Sequence, residues 1–259
     1  IIERHIHGVP LRFYVKEYPE LPGLEEAVGS FMRRLFGFGA PYTALIRIGN
    51  TPFLISQEIR GKTAAEVLKE VPQFFDSPDF LDPYYTSALV LMNILINPED
   101  GIFPNYIVER LPHAQAHRLI SIDNDHAFVP GVVRDQKQGR DPIVQVKTIL
   151  FGLDSMLKAV HPDVRAQFLK VDIGEFLEGW LRDLRQRNAL YGELFTQQER
   201  LALLPKKPDD PTSKGTYIGI PFQDNAIKDL YQKMSALQSL LKESPQLTHL
   251  ELLSKVEPH

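Results

Sequence analysis

The stretch 89–128, LVLMNILINPEDGIFPNYIVER-LPHAQAHR-LISIDNDHAF, constrains the fold more than any other part of the chain. An apolar run from Ala88 to Ile96 predicts a buried helix that empties into a loop holding Asp100 and, five residues on, Asn105. Tyr106, Ile107 and Val108 predict one strand, and Leu119 to Ile122 a second, with Leu111–Arg118 as the loop of a hairpin. The second strand delivers Asp123. Helix, Asp-x-x-x-x-Asn loop, hairpin, Asp is the order in which phosphoryl transfer from a metal-bound nucleotide needs its groups. One carboxylate faces the acceptor hydroxyl, while an amide and a second carboxylate hold the metal on the phosphates. Either half of the pattern arises easily by accident. Both halves in order, with a hairpin between them, do so far less.

The residues around these positions resemble a particular branch of kinases. Ile122–Phe128, IDNDHAF, is similar to the IDNG-x-AF segment of type II phosphatidylinositol 4-kinases. It is more similar still to the corresponding segment of the actin-fragmin kinase family, which phosphorylates actin. Asn97-Pro-Glu-Asp100 through Asn105-Tyr-Ile-Val108 likewise resembles the NTD-x-x-x-x-NWLI catalytic loop of that group. The likeness spans residues 11–160 and is best over 89–128. It implies an α+β, two-lobed protein kinase-like fold, with a small antiparallel N-lobe over 1–62 and a mostly helical C-lobe over 63–259. It also implies ATP and Mg²⁺ as cofactors, Asp100 as the catalytic acid, Asn105 as a metal ligand and Asp123 as the principal metal ligand. An actin-like protein Ser/Thr acceptor follows from the same likeness. Three positions depart from the pattern. Gly101 stands where the lipid-kinase relatives usually carry Arg, Ile102 where protein kinases often place Lys or Arg, and Asp125 where many relatives have Gly. These departures bear on substrate class and turnover.

Upstream, an extended Ile1–Ile6 and a turn at His7-Gly8 precede a strand over Leu11–Lys16. A Lys ending a strand in the first lobe is where a kinase grips the non-transferred phosphates; taken alone, Lys16 reads as a solvated strand end. Pro19 and Pro22 break the strand, and Leu24, Val28, Phe31 and Leu35 predict an amphipathic helix over Leu24–Phe36. Such a helix has to offer Lys16 a Glu. Glu25 lies about 100° from the apolar stripe and Glu26 about 200°, which favours Glu25; both are also simply well placed near a helix N-terminus. Residues 42–48 and 52–59 predict a hairpin around Gly49-Asn50, which makes Gln57, Glu58 and Ile59 a hinge whose backbone groups bind adenine. A helix over Ala64–Val71 follows, then an Asp- and Pro-rich loop, Gln73–Pro83. No G-x-G-x-x-G precedes Lys16. A chain that opens on Ile1 reads as an excised piece of something longer. Either the phosphate loop lies before Ile1, or the phosphates are covered in another way.

Downstream, helical periodicity predicts helices over Ile143–Val160, Asp163–Lys170, Ile173–Tyr191 and Thr196–Leu204. A loop, Pro205–Gly219, leads to a helix over Asp224–Lys242 capped by Asp224. The closely spaced leucines of Leu247–Val256 suit the opening of either a helical or a leucine-rich repeat, but one copy is not a repeat. Trp180 reads as core. His113 and His117 share i, i+4 spacing, but Pro112 beside them favours an exposed loop over a metal site. Val129–Pro142, in the place of an activation segment, has no Ser, Thr or Tyr and so offers no phosphorylation switch.

Composition narrows the classes. A net charge of −4 argues against a general nucleic-acid binder. No apolar run reaches spanning length, and no signal pattern opens the chain. The absence of cysteine excludes thiolate chemistry and fits a reducing, cytoplasmic setting. The leading expectation is an ATP- and Mg²⁺-dependent kinase acting on a protein hydroxyl, actin-like by resemblance. A phosphoinositide headgroup is the competing acceptor, although the chain has neither Cys nor a long basic run for membrane attachment. A pseudokinase serving as a binding module, and a helical interaction protein, are the readings from other classes. Oligomeric state stays open.

Overall fold

The computed structural model describes residues 1–6, 9–74, 80–112, 114–128, 132–133, 143–144, 147–205 and 215–256. Its elements run β1 (Ile2–Ile6), β2 (Val9–Glu17), α1 (Pro22–Phe36), β3 (Thr43–Ile48), β4 (Thr51–Gln57), β5 (Lys62–Thr63), α2 (Ala64–Glu70) and α3 (Pro83–Ile96). Then come β6 (Tyr106–Arg110), β7 (His117–Ser121), β8 (Val132–Val133), β9 (Ile143–Val144), α4 (Pro162–Leu169), α5 (Ile173–Leu194), α6 (Gln197–Leu203), α7 (Ala226–Glu243) and α8 (His249–Val256). The architecture is α+β. Two compact units divide it: Ile1–Ile59 with Asp123–His126 and Glu178–Phe222, and Arg60–Ile122 with Ala127–Leu177 and Gln223–His259.

The first unit is built on a four-stranded antiparallel sheet of order β1-β2-β4-β3. β2 is an inner strand, and Lys16 lies opposite Leu54 of β4. Pro22 starts α1 at a position where its missing N–H costs no hydrogen bond. Gly37, at φ 79°, ends the helix in the left-handed conformation that glycine tolerates, and its N–H bonds to the Arg33 carbonyl at 2.8 Å. The stripe Leu24, Ala27, Val28, Phe31, Met32 and Leu35 is buried, as its spacing predicts. Trp180 covers it: the indole meets the Phe31 ring edge-on at 5.3 Å, and its N–H reaches the Ser30 hydroxyl at 3.0 Å. Leu45 of β3 is sealed by Tyr191, Phe195 and Ile218. A single division at 62/63 therefore does not describe the chain. Residues 178–222 carry apolar side chains that α1 and β3 need, and they belong with the first unit.

The second unit is mainly helical. Leu89 to Ile96 of α3 are buried on all sides, with α4, α7 and α8 packed around the helix. This helix begins at Pro83, five residues before the apolar run. Asp82 caps it there, accepting from the backbone N–H groups of Tyr84 and Tyr85 at 2.9 and 3.1 Å. The sheet β5-β6-β7 holds the expected hairpin, with Tyr106 opposite Ser121. Gly61 is required at its edge, because a Cβ there would meet the Val108 carbonyl.

Several predicted elements differ. Ile143–Val160 is not one helix. Among its described residues the elements formed are Ile143–Val144 (in β9) and two 3₁₀ turns, Ile149–Gly152 and Asp154–Leu157, and Lys147 and Ile149 bond to the backbone of Gly101. The helix predicted over Asp224–Lys242 starts two residues later, at Ala226, with Asn225 rather than Asp224 at the N-cap position, at φ 67°, a left-handed conformation that Asn accepts readily. His117 lies in β7 rather than in a loop, its ring stacked on Phe80 at 4.3 Å. His113 and most of the segment 129–142 lie outside the described residues.

Candidate active site

In the first unit, β2, α1 and the short segment after Ile122 bring four charged side chains together. Lys16 Nζ lies 2.7 Å from Asp123 Oδ1 and 3.3 Å from Asp125 Oδ2. Asp123 sits at φ 58°, a left-handed conformation that Asp adopts more easily than most residues. This kink turns the chain directly after the strand and lets Asp123 and Asp125 face the same ammonium. Burial opposes the charge of Lys16, but the hydrogen bond and charge of Asp123, together with the charge of Asp125, outweigh it and raise the ammonium's pKa. Asp125 is buried, and burial pushes its carboxyl up, against the pull of Lys16.

Glu25, in the first turn of α1, is 4% exposed. It accepts the backbone N–H of Asn124, while its Oε2 has no hydrogen-bond partner. Burial first, then the charges of Asp125 and Asp123, push its carboxyl up to about 8. One oxygen each from Glu25, Asp123 and Asp125 lie within 4.8 Å of one another. Glu25 thus lies beside the two aspartates, buried as deeply as Glu26, and the expected ion pair with Lys16 is not made. Lys16 bonds to the two aspartates, because the α1 first turn aims Glu25 at the Asn124 amide. Glu26 points elsewhere, holding the Leu45 N–H at 2.8 Å and lying 2.9 Å from the Arg187 guanidinium. The acceptors at Lys16 are all carboxylate oxygens, a set of ligand atoms that suits a hard divalent cation such as Mg²⁺.

In the second unit, Asp100 and Asn105 form one loop. Asn97, at φ 43°, ends α3 and turns the chain into it. The Asn105 side-chain amide donates to the Asp100 carbonyl at 2.9 Å and to its carboxylate at 3.1 Å, and the Asn105 carbonyl accepts from Ile122 N–H at 2.8 Å. The loop is latched from behind. Gly101 N–H bonds to Lys147 O at 2.8 Å, Ile149 N–H returns to Gly101 O at 2.8 Å, and Lys147 Nζ meets Glu99 at 2.6 Å. Beneath it, the buried Tyr106 hydroxyl joins Asn93 Oδ1 at 3.1 Å and Thr148 Oγ1 at 2.9 Å. A Cβ on Gly101 would lie 2.7 Å from Thr148 Cα, so the Arg of the similar loops has no room here.

The hinge expectation narrows. Gln57 N–H is used by Tyr42 O and Glu58 N–H by Arg12 O, each at 2.8 Å. Gln57 is also the last residue of β4, so its amide serves the sheet. For an adenine edge the candidates are the Glu58 carbonyl and the backbone of Ile59. Asp125, a second acid two residues past Asp123, already reads in the sequence as a departure that either helps bind metal or solvates the strand end. One contributor escapes the sequence. Thr148 carried no signal, since nothing local links it to Gly101.

No family model matches the chain, and no curated protein does. Among solved structures, the crystal structure of a Helicobacter pylori proinflammatory kinase, CtkA, is similar at a TM-score of 0.37. The two share 11% identity over 98% of this chain and 90% of that one.

Proposed function

We propose that the chain is an ATP- and Mg²⁺-dependent phosphotransferase of the protein kinase-like type, acting on a hydroxyl. The observation that carries this reading is the pairing of Lys16 with the aspartate that follows the β6–β7 hairpin, Asp123, at 2.7 Å. Lys16 and Asp123 are 107 residues apart in sequence; motif order suggests Asp123 for a phosphate site, and Lys16 once that motif is granted. In this reading Lys16 binds the non-transferred phosphates, and Asp123 and Asn105 supply oxygen ligands for the cation. Bound there, Mg²⁺ neutralises the phosphate charge during transfer. Asp100 orients the acceptor hydroxyl and takes its proton, with the Asn105 amide fixing its carboxylate. Glu25 positions the phosphate-binding group through the aspartates rather than by a direct pair. Glu58 and Ile59 offer backbone groups to adenine.

The acceptor we favour is a protein Ser or Thr, actin-like by the resemblance of IDNDHAF. A lipid headgroup is the competitor. Transfer of labelled γ-phosphate from Mg-ATP to purified actin, to a phosphoinositide panel and to a cell lysate tests both, with Asp123→Ala as control. Label in one acceptor that disappears in the control supports the reading and selects the acceptor class. ATP bound without transfer marks a pseudokinase, and failure to bind ATP overturns the reading.

A further inference from the structure

The three carboxylates around Lys16 are more than a phosphate-gripping lysine requires. One ammonium hydrogen-bonds to Asp123 and Asp125, and Glu25 receives no bond from it. Glu25 is nevertheless 4% exposed, and its Oε2 has no hydrogen-bond partner. A buried carboxylate oxygen with nothing to accept from is costly unless something else meets it. Its neighbours are two more carboxylates, with one oxygen of each residue inside a 4.8 Å circle. Oxygens on opposite sides of one Mg²⁺ or Mn²⁺ stand roughly 4.2 Å apart, and around Ca²⁺ up to about 5 Å. Neighbouring oxygens around Mg²⁺ stand closer, roughly 3 Å apart, so side-chain shifts of up to about an ångström bring all three onto a single ion, with water completing the shell. Lys16 now stands where that ion's charge would act. Its stem leaves the ammonium free to move, since the side chain is 45% exposed.

We propose that Glu25, Asp123 and Asp125 form a divalent-cation site that fills without nucleotide, the ion taking the place of the Lys16 ammonium on the two aspartates. The inference deepens the phosphotransferase reading, with which it shares Asp123. It adds Glu25 and Asp125 as ligands, and it makes the loading of metal the event that releases Lys16 toward a phosphate. Lys16 and the ion are competitors in the free protein, and become partners only once a triphosphate supplies further negative charge.

Mn²⁺ binding read by electron paramagnetic resonance, on the full chain and with no nucleotide present, tests this directly. The expected result is one Mn²⁺ per chain. Asp125→Asn and Glu25→Gln should each weaken it at least tenfold, and Lys16→Met, which removes the competitor, should tighten it several-fold. Glu70→Gln, at an acid of α2 paired with Lys62, should leave it unchanged. Circular dichroism establishes that each variant is folded. If Glu25→Gln does not fold, Asp125→Asn and Lys16→Met decide the matter. Mn²⁺ bound only after ATP is added, or Asp125→Asn within twofold of the parent, overturns the inference. Phosphoryl transfer surviving that outcome would leave the phosphotransferase reading intact. Nucleotide-free Mn²⁺ binding with no ATP binding would do the reverse.

Discussion

Gly101 replaces an Arg of the similar catalytic loops, and the reason is steric: Thr148 occupies the volume a Cβ would need. Gly101→Ala is expected to cost about 1–3 kcal/mol, the usual range for overpacking, by prising 147–149 off the loop. Urea unfolding measures it, and Gly101→Arg should be worse rather than restorative. Glu25 makes a second prediction, in which the sign matters. Its folded pKa, about 8, lies above the ordinary 4.5, so between these values the folded state holds a proton that the unfolded state has released. Its contribution to stability is complete below pH 4.5 and is lost as pH rises toward 8. In metal-free buffer, Glu25→Gln should flatten that loss and stabilise the protein at pH 8 relative to pH 5. The expected gain is of order 1–3 kcal/mol, read from urea unfolding at the two pH values. At this scale the sequence was informative where chemistry follows chain order. Asp100, Asn105 and Asp123 are read from their order in one motif, whereas Lys16 alone reads as a solvated strand end and gains a role only from that motif downstream. Whether Lys16 meets Glu25 or Asp125 depends on the direction of a single helix turn, which no local pattern encodes.

Elements were legible wherever burial imposes a period. α1, α3 and the hairpin β3–β4 appear within a few residues of their predicted limits, since an apolar stripe or alternation decides them. Ile143–Val160 has the right period and the wrong structure. There Thr148 bonds to Tyr106 and the flanking backbone pairs with Gly101, so tertiary partners outbid the local helix. Trp180 illustrates the opposite case, a core assignment from composition whose partners only the fold reveals. Its ring fills the space over Phe31, and a second edge contact to Phe222 closes the far side at 5.6 Å. Trp180→Ala should cost about 3–5 kcal/mol, in the range for emptying a large aromatic site, and urea unfolding should show it.

Taken as a molecule, the chain crosses between its two units several times instead of filling them in turn. A peptide of residues 1–62 should therefore fail to fold, since it lacks Trp180, Tyr191, Phe195 and Ile218. Circular dichroism and amide dispersion by NMR check this, and a folded spectrum would contradict the division described. Among the described residues no helix is long and apolar enough to cross a membrane.

The distance along the chain from Ser30 to Trp180, 150 residues, has a consequence for how the protein is made. A ribosome adding about 5–20 residues per second needs roughly 8–30 seconds to cover it. Throughout that interval the apolar stripe of α1 has emerged without its lid, a nascent surface that invites chaperones or other chains. The helix that carries Glu25 is thus synthesised long before the residue that finishes its packing.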